Sequence, residues 1–268
     1  MAGRLDAVAA TFDLMPAYDF RTPRIYLDAP LTAGQEVPLD RDQANYLLNV
    51  LRLQRGAAVL LFNGRDGEWR ASLAGQGKRA LSALVGERLR EQPPAGDLHF
   101  LFAPLKHARL DYLVQKAVEL GVSRLQPVIT RHTQVARVNL ERMRANVIEA
   151  AQQCGVLNLP DVAEPAVFSA AVGDSERLLI FCDENAEVSD PVAALASAGA
   201  RLPQDRPAPL AVLIGPEGGF AEDERAALRQ RPNVLRLSLG PRILRADTAA
   251  AAALALVQAV LGDWRTAP

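Results

Sequence analysis

The sequence predicts an α/β protein, with a mainly parallel sheet and interleaved helices in its second half and a small β-rich barrel before it. Three observations predict this. After residue 98, short apolar runs alternate with amphipathic helical patterns, the signature of βαβ units. Before residue 92 the apolar runs are short, β-rich and bounded by turn residues. Between the two lies Glu91-Gln92-Pro93-Pro94-Ala95-Gly96-Asp97, a Pro/Gly stretch suited to a linker.

Taken in order, residues 1–20 read as a loose leader. They carry Asp6 and Asp13 and lack the basic head and apolar run of a signal peptide. Residues 21–92 form the barrel, with strands expected at Arg24–Leu27, Ala57–Phe62, Glu68–Leu73 and Ala80–Val85. Asn63-Gly64-Arg65-Asp66-Gly67 joins the second and third as a hairpin, because Asn and Gly tolerate the positive φ of such turns. One helix interrupts the strands. Asp40 caps it with Gln43 three residues on, and Ala44, Leu47, Leu48 and Leu51 share its apolar face.

The second half, residues 98–264, has strands at Leu98–Ala103, Leu125–Thr130, Leu178–Cys182, Leu210–Gly215 and Val234–Leu239. Leu110, Leu113, Val114, Ala117 and Val118 recur at helical spacing, and Gly121 ends that helix. Asn139 caps another, along which Leu140, Met143, Val147, Ala150, Ala151 and Cys154 share a face. A last helix, from about Arg245 to Leu261, is almost entirely Ala, Leu and Val. Such a helix must be covered on several sides, within its domain or by a second subunit.

Composition excludes several classes. Among 268 residues, 49% are hydrophobic and 23% charged, a globular balance. No apolar run approaches the roughly 20 residues of a membrane span. Cys154 and Cys182 form no CxxC, and with no secretory signal they suit reduced thiols of a cytoplasmic protein. His99, His107 and His132 lack metal-ligand spacing, so no metal is expected. Net charge is −1 but unevenly spread. Residues 98–146 hold eight Lys/Arg against three Asp/Glu, whereas residues 147–235 hold six against fourteen. That polarity allows one positive face, as a phosphate backbone requires.

Parallel sheets bind ligands beyond the carboxyl ends of their strands. The first strand of the second half leads into Pro104-Leu105-Lys106-His107, without the GxGxxG of a dinucleotide fold, which disfavours a nucleotide-dependent oxidoreductase. The fourth leads into Gly215-Pro216-Glu217-Gly218-Gly219-Phe220, whose glycines let backbone approach a flat ligand. The fifth leads into Ser238-Leu239-Gly240-Pro241-Arg242-Ile243-Leu244-Arg245-Ala246-Asp247-Thr248, an apolar pair between two arginines.

LIGPEGGF followed by LSLGPRILRADTA resembles the paired cofactor loops of SPOUT methyltransferases, and most of all the RsmE family. The stretch Asn45–Trp69 is similar to that family's PUA-like RNA-binding barrel, and LKHARLDYLVQKAVELGVSRLQPVITRHT to its first catalytic segment. The resemblance implies a trefoil-knotted SPOUT domain, an obligate homodimer, and methyl transfer from S-adenosylmethionine to N3 of a uridine in 16S ribosomal RNA of the 30S subunit. It places the donor against Leu213, Ile214, Gly215, Gly218 and Gly219 of the first loop. From the second loop come Leu237, Leu239, Gly240, Ile243 and Leu244. The chain departs from the commonest family pattern at Asn45, Gln152, Val156 and Asp247.

Loss of the uridine N3 proton builds negative charge, which a nearby cation would stabilise. Arg245 is the candidate, with Asp247 orienting it. Lys106 and Arg131, at the ends of the first two strands, are candidates for RNA phosphate or base, and Arg52, Arg55 and Arg70 for RNA backbone at the barrel. No general base is identified. Lys116 and Glu119 read as an exposed helical ion pair. His99 reads as a core strand residue and Trp69 as barrel packing, while His107 and His132 could meet substrate. A noncatalytic RNA-binding adaptor is the remaining rival, and the intact donor loops argue against it.

Overall fold

The computed structural model describes residues 21–75, 81–106, 108–135, 137–187, 190–203 and 206–265. The expected leader and His107 lie outside them. Strands β1 (Arg24–Tyr26), β2 (Glu36–Pro38), β3 (Ala58–Phe62), β4 (Glu68–Ala74) and β5 (Ser82–Arg90) make a curled mixed sheet in the order β1-β3-β4-β5-β2. The pair β1–β3 is parallel and the others antiparallel. The short β2 was not expected, and β5 runs five residues beyond its expected end. With only Val37 buried, β2 offers too little apolar pattern to be read locally.

Helix α1 (Arg41–Asn45) starts as the sequence dictates. The Asp40 carboxylate accepts from the Gln43 N–H, and the Gln43 side chain accepts from the Asp40 N–H. The chain continues into a wider turn, Tyr46–Val50, where the Leu51 N–H reaches the Tyr46 carbonyl. Between β3 and β4, the Asn63 side-chain carbonyl accepts from the backbone N–H groups of Arg65 and Asp66, which closes the hairpin. Trp69 packs partly into the barrel core, and its indole donates to the Asp66 carbonyl.

The second sheet is built from β6 (Leu98–Phe102), β7 (Arg124–Ile129), β8 (Asp161–Val162), β9 (Ala166–Val167), β10 (Leu178–Cys182), β11 (Leu210–Ile214) and β12 (Val234–Leu237). The order is β12-β10-β11-β6-β7-β8, with β9 also on β7, and every pairing is parallel. It is flanked by α2 (Ala108–Glu119), α3 (Leu140–Cys154), α4 (Phe168–Ala171), α5 (Pro191–Gly199), α6 (Glu222–Arg229) and α7 (Ala246–Val260). Alternation along the strands divides two cores. Phe100, Phe102, Ile180, Val212 and Ile214 face α2, α3 and α7, whereas Leu101, Phe181 and Leu213 face Phe168, Phe220 and Leu228. This is an α/β domain on an all-parallel sheet, preceded by a smaller curled mixed sheet.

The two sheets meet at a polar seam. Arg24 of β1 donates to Glu68 and to the carbonyls of Ala151 and Val156, at the end of α3. Arg90 joins Glu68 to the Gly155 carbonyl, and Gln152 accepts from the Tyr26 N–H at 2.9 Å. Burial would raise the Glu68 carboxyl, but hydrogen bonds from Arg90 and Arg24 overcome it and hold the carboxyl below its ordinary value. Gln152 and Val156, two of the departures from the family pattern, thus belong to this seam.

Helix α7 packs on α2, α5 and β11 and buries Ala250, Ala253, Leu254, Val257 and Gln258. Its other apolar residues are only partly covered, and Ala259 is exposed.

Candidate active site

The adjacent parallel strands β12, β10 and β11 end at the same edge, so the loops that follow them converge. Residues 215–220 after β11 and 238–245 after β12 face each other across a cavity of about 1100 Å³. The two crossings singled out in the sequence are therefore walls of one site.

Backbone demands explain the glycines. A Cβ on Gly215 would lie 2.5 Å from the Phe220 ring, which is itself held against Phe181 and Phe168. Gly219 has φ +68°, and a Cβ there would press on Arg225 and Glu184 at 3.3 and 3.4 Å. Gly240 has φ +103° with nothing within 4 Å, so it keeps the second loop open towards the cavity. The His132 ring nitrogen Nδ1 lies 3.2 and 3.1 Å from the carbonyl oxygens of Gly218 and Gly219, bracing the first loop from β7.

Of the residues the resemblance assigned to the donor, Ile214, Gly215, Gly218, Gly219, Leu237, Leu239, Gly240, Ile243 and Leu244 line this cavity. Leu213 does not. It is fully buried on the opposite face of β11 with Phe181 and Leu101, because neighbouring strand residues point to opposite sides. Arg245 lines the cavity and is largely exposed; Asp247 is not among the lining residues. Their closest charged atoms are 3.8 Å apart, and Asp247 also accepts from the Thr248 N–H.

Sequence reasoning passed over Cys182, the last residue of β10, and Asp183 and Glu184 just after it, which line the same cavity. Their signal was position: they occupy the carboxyl end of a central strand, but without glycine. Asp183, 2% exposed, binds Arg225 of α6 and takes two hydrogen bonds from Arg236 of β12, at 3.0 and 2.8 Å. Arg225 also pairs with Glu184 and donates to the Phe220 carbonyl. One carboxylate thereby ties the strand beneath the second loop to the helix behind the first. Burial, then Asp183, pushes the Cys182 thiol up to about 12, which favours its protonated form.

The expected RNA contacts are scattered. Lys106 is exposed at a smaller cleft beside the cavity. Arg131 pairs with Asp223 at 2.6 Å, and its N–H donates to Glu224, so it joins the β7 loop to α6. Arg52, Arg55 and Arg70 are exposed on the barrel, Arg52 with φ 56° and Arg70 at 3.9 Å from Glu87. Asn45 is exposed and accepts from Asn49. Lys116 and Glu119 form the expected ion pair at 2.7 Å. Among the described residues, no His/Cys/Asp/Glu group is placed to hold a metal, and no helix is long and apolar enough to cross a membrane.

A parallel sheet whose strand-end loops meet around a cavity, joined to a smaller curled sheet, is the arrangement of an α/β enzyme with a second, β-rich domain. The family described as RNA methyltransferase domain matches residues 91–258, and that described as RNA methyltransferase PUA domain matches residues 39–85. The chain is 31% identical to ribosomal RNA small subunit methyltransferase E of Rickettsia conorii, over 88% of this chain and 94% of that one. It is similar in structure to a putative methyltransferase of Legionella pneumophila in complex with S-adenosylmethionine, with TM-score 0.77 and 30% identity, over 89% and 98% of the two chains. The small subunit methyltransferase E of Neisseria gonorrhoeae, bound to S-adenosyl methionine, gives TM-score 0.75 at 29% identity, over 91% and 99%. The chain belongs to the RNA methyltransferase family, in its small-subunit methyltransferase E (RsmE) branch.

Proposed function

We propose that this protein transfers a methyl group from S-adenosylmethionine to N3 of a uridine in 16S ribosomal RNA. The observation that carries it is the cavity that loops 215–220 and 238–245 line together. The residues present suit the donor. Leu239, over the buried Ile214 and Leu237, offers an apolar face to an adenine, Gly240 leaves open space for backbone approach, and Glu184 supplies a carboxylate near a cationic ligand. When bound, S-adenosylmethionine supplies an electrophilic methyl on a sulfonium.

The chain's own residues then position and polarise. The glycine loops fix the donor's orientation, and close alignment supplies much of the rate. Arg245, at the start of α7 and on the cavity wall, stabilises charge on the uracil as N3 is deprotonated, with Asp247 biasing its orientation. Lys106, Arg131, Arg52, Arg55 and Arg70 are the proposed contacts to RNA. In this reading, residues 21–92 hold RNA and residues 98–264 carry the chemistry.

The protein acts in the cytoplasm as a homodimer. Ile243 is 94% exposed although it borders the cavity, so an apolar wall of the donor site stays in water until a second copy covers it. Sedimentation at micromolar concentration should give twice the chain mass; a monomer that still methylates would exclude this part.

Purified protein incubated with 30S subunits and labelled donor should yield 3-methyluridine in 16S ribosomal RNA, and cells lacking the protein should lose that mark. An unchanged mark in such cells would refute the assignment. Calorimetry showing no binding of S-adenosylmethionine would favour the noncatalytic adaptor.

A further inference from the structure

We propose that a second cleft, walled off from the donor cavity by the Arg109–Glu217 ion pair, receives the acceptor uracil, and that Glu217 takes the N3 proton. The proposal rests on the methyltransferase reading above and deepens it.

The cleft holds about 230 Å³ and is bounded by Lys106, Gln134 and Val135 on the outer side. Arg109, Pro216 and Glu217 line both this cleft and the donor cavity. The two spaces are therefore neighbours, separated by little more than one pair of side chains. A base in one space lies beside a methyl donor in the other, and transfer requires the Arg109–Glu217 pair to part so that the reacting atoms come within about 3–3.5 Å. The cleft also lies beyond the carboxyl ends of β6 and β7, the side on which such sheets bind ligands.

Its chemistry suits an imide. Uracil N3–H lies between two carbonyl oxygens, and deprotonation spreads negative charge over both. Lys106 and Arg109 supply two cations to receive that charge, and Gln134 adds an amide able to donate and accept. Among the described residues lining the cleft, Glu217 is the one carboxylate. Arg109 grips it directly, which fixes the direction of its oxygens. A positioned carboxylate is the group the sequence did not supply as general base.

In the step, the N3 proton passes to a Glu217 carboxylate oxygen and the N3 electron pair forms the bond to the methyl carbon. The methyl–sulfur bond breaks with its electrons retained by sulfur, which loses its positive charge. The half-exposed Glu217 then returns its proton to water.

The test compares the parent protein, Glu217→Gln and the double variant Lys106→Ala/Arg109→Ala with 30S subunits as substrate. Donor affinity is read by calorimetry, subunit affinity by filter binding without donor, and chemistry by single-turnover transfer. Glu217→Gln keeps the shape of the side chain, so donor and subunit binding should stay near parental while single-turnover transfer falls about 100-fold or more. The double variant should bind 30S subunits about tenfold more weakly, a loss of about 1.4 kcal/mol, in the absence of donor. Transfer by Glu217→Gln within about threefold of the parent, well short of the loss expected of a general base, overturns the role of Glu217. Parental subunit affinity in the double variant overturns the cleft as the acceptor site. If the parent itself transfers no methyl to 16S ribosomal RNA, the functional reading fails first and this inference falls with it.

Discussion

Arg24 and Glu68 form an ion pair whose side chains are each only 3% exposed, at the seam between the two sheets. Arg24 also lies 3.7 Å over the Phe62 ring and holds carbonyls at the end of α3. The pair therefore fixes how the PUA-like sheet is presented to the methyltransferase sheet.

Removing one member of this pair leaves the other charge buried without its partner. Glu68→Ala should destabilise the protein by about 3–5 kcal/mol. Denaturant unfolding measures this directly, and a loss below about 1 kcal/mol, the range of an exposed pair, would show that the seam opens to water.

Gly215→Ala places a methyl against Phe220, whose ring is trapped between Phe168 and Phe181 and has nowhere to turn. The loop must move instead, at a cost of about 1–3 kcal/mol. Calorimetry should show donor affinity reduced about tenfold or more. Unchanged affinity would mean that the first loop does not shape the donor site.

Arg245→Ala should lower the transfer rate about 10²–10³-fold, the usual effect of losing one charge-stabilising group. Donor binding should change little, because Arg245 is largely exposed at the cavity mouth. Near-normal turnover would remove it from the mechanism.

Burial, and then the Arg177 guanidinium, pushes the His99 imidazole down from 6.5 to about 4. Its proton is thus favoured in the unfolded chain, which binds more protons between those values, so stability rises with pH there. The contribution is fully present above about pH 6.5 and is lost as pH falls towards 4. It amounts to at most about 3 kcal/mol, reduced because the ring keeps some solvent contact. Replacing His99 with Asn should flatten the acid limb of a stability–pH curve; an unaltered slope would place the titration elsewhere.

The locally encoded features were legible. The Asp40–Gln43 box and the Asn63 turn involve partners two or three residues apart, so spacing alone specifies them. The glycine loops were readable because positive φ and close approach leave few other residue choices. The facing of Leu213 was a knowable miss, since strand alternation opposes it to Ile214. The short β8 and β9 were not readable, because two residues carry no period.

The sequence by itself determined the α/β rhythm, the linker, the strand-end loops and, by resemblance, the chemistry they serve. Each of these depends on composition or on neighbours within a turn of chain. Only the tertiary structure decided which charges are buried and paired: Arg24 reaches Val156 across 132 residues, and Asp183 gathers Arg225 and Arg236 from 42 and 53 residues away. Such partners have no spacing to betray them, because sheet order brings them together and burial makes their pairing obligatory.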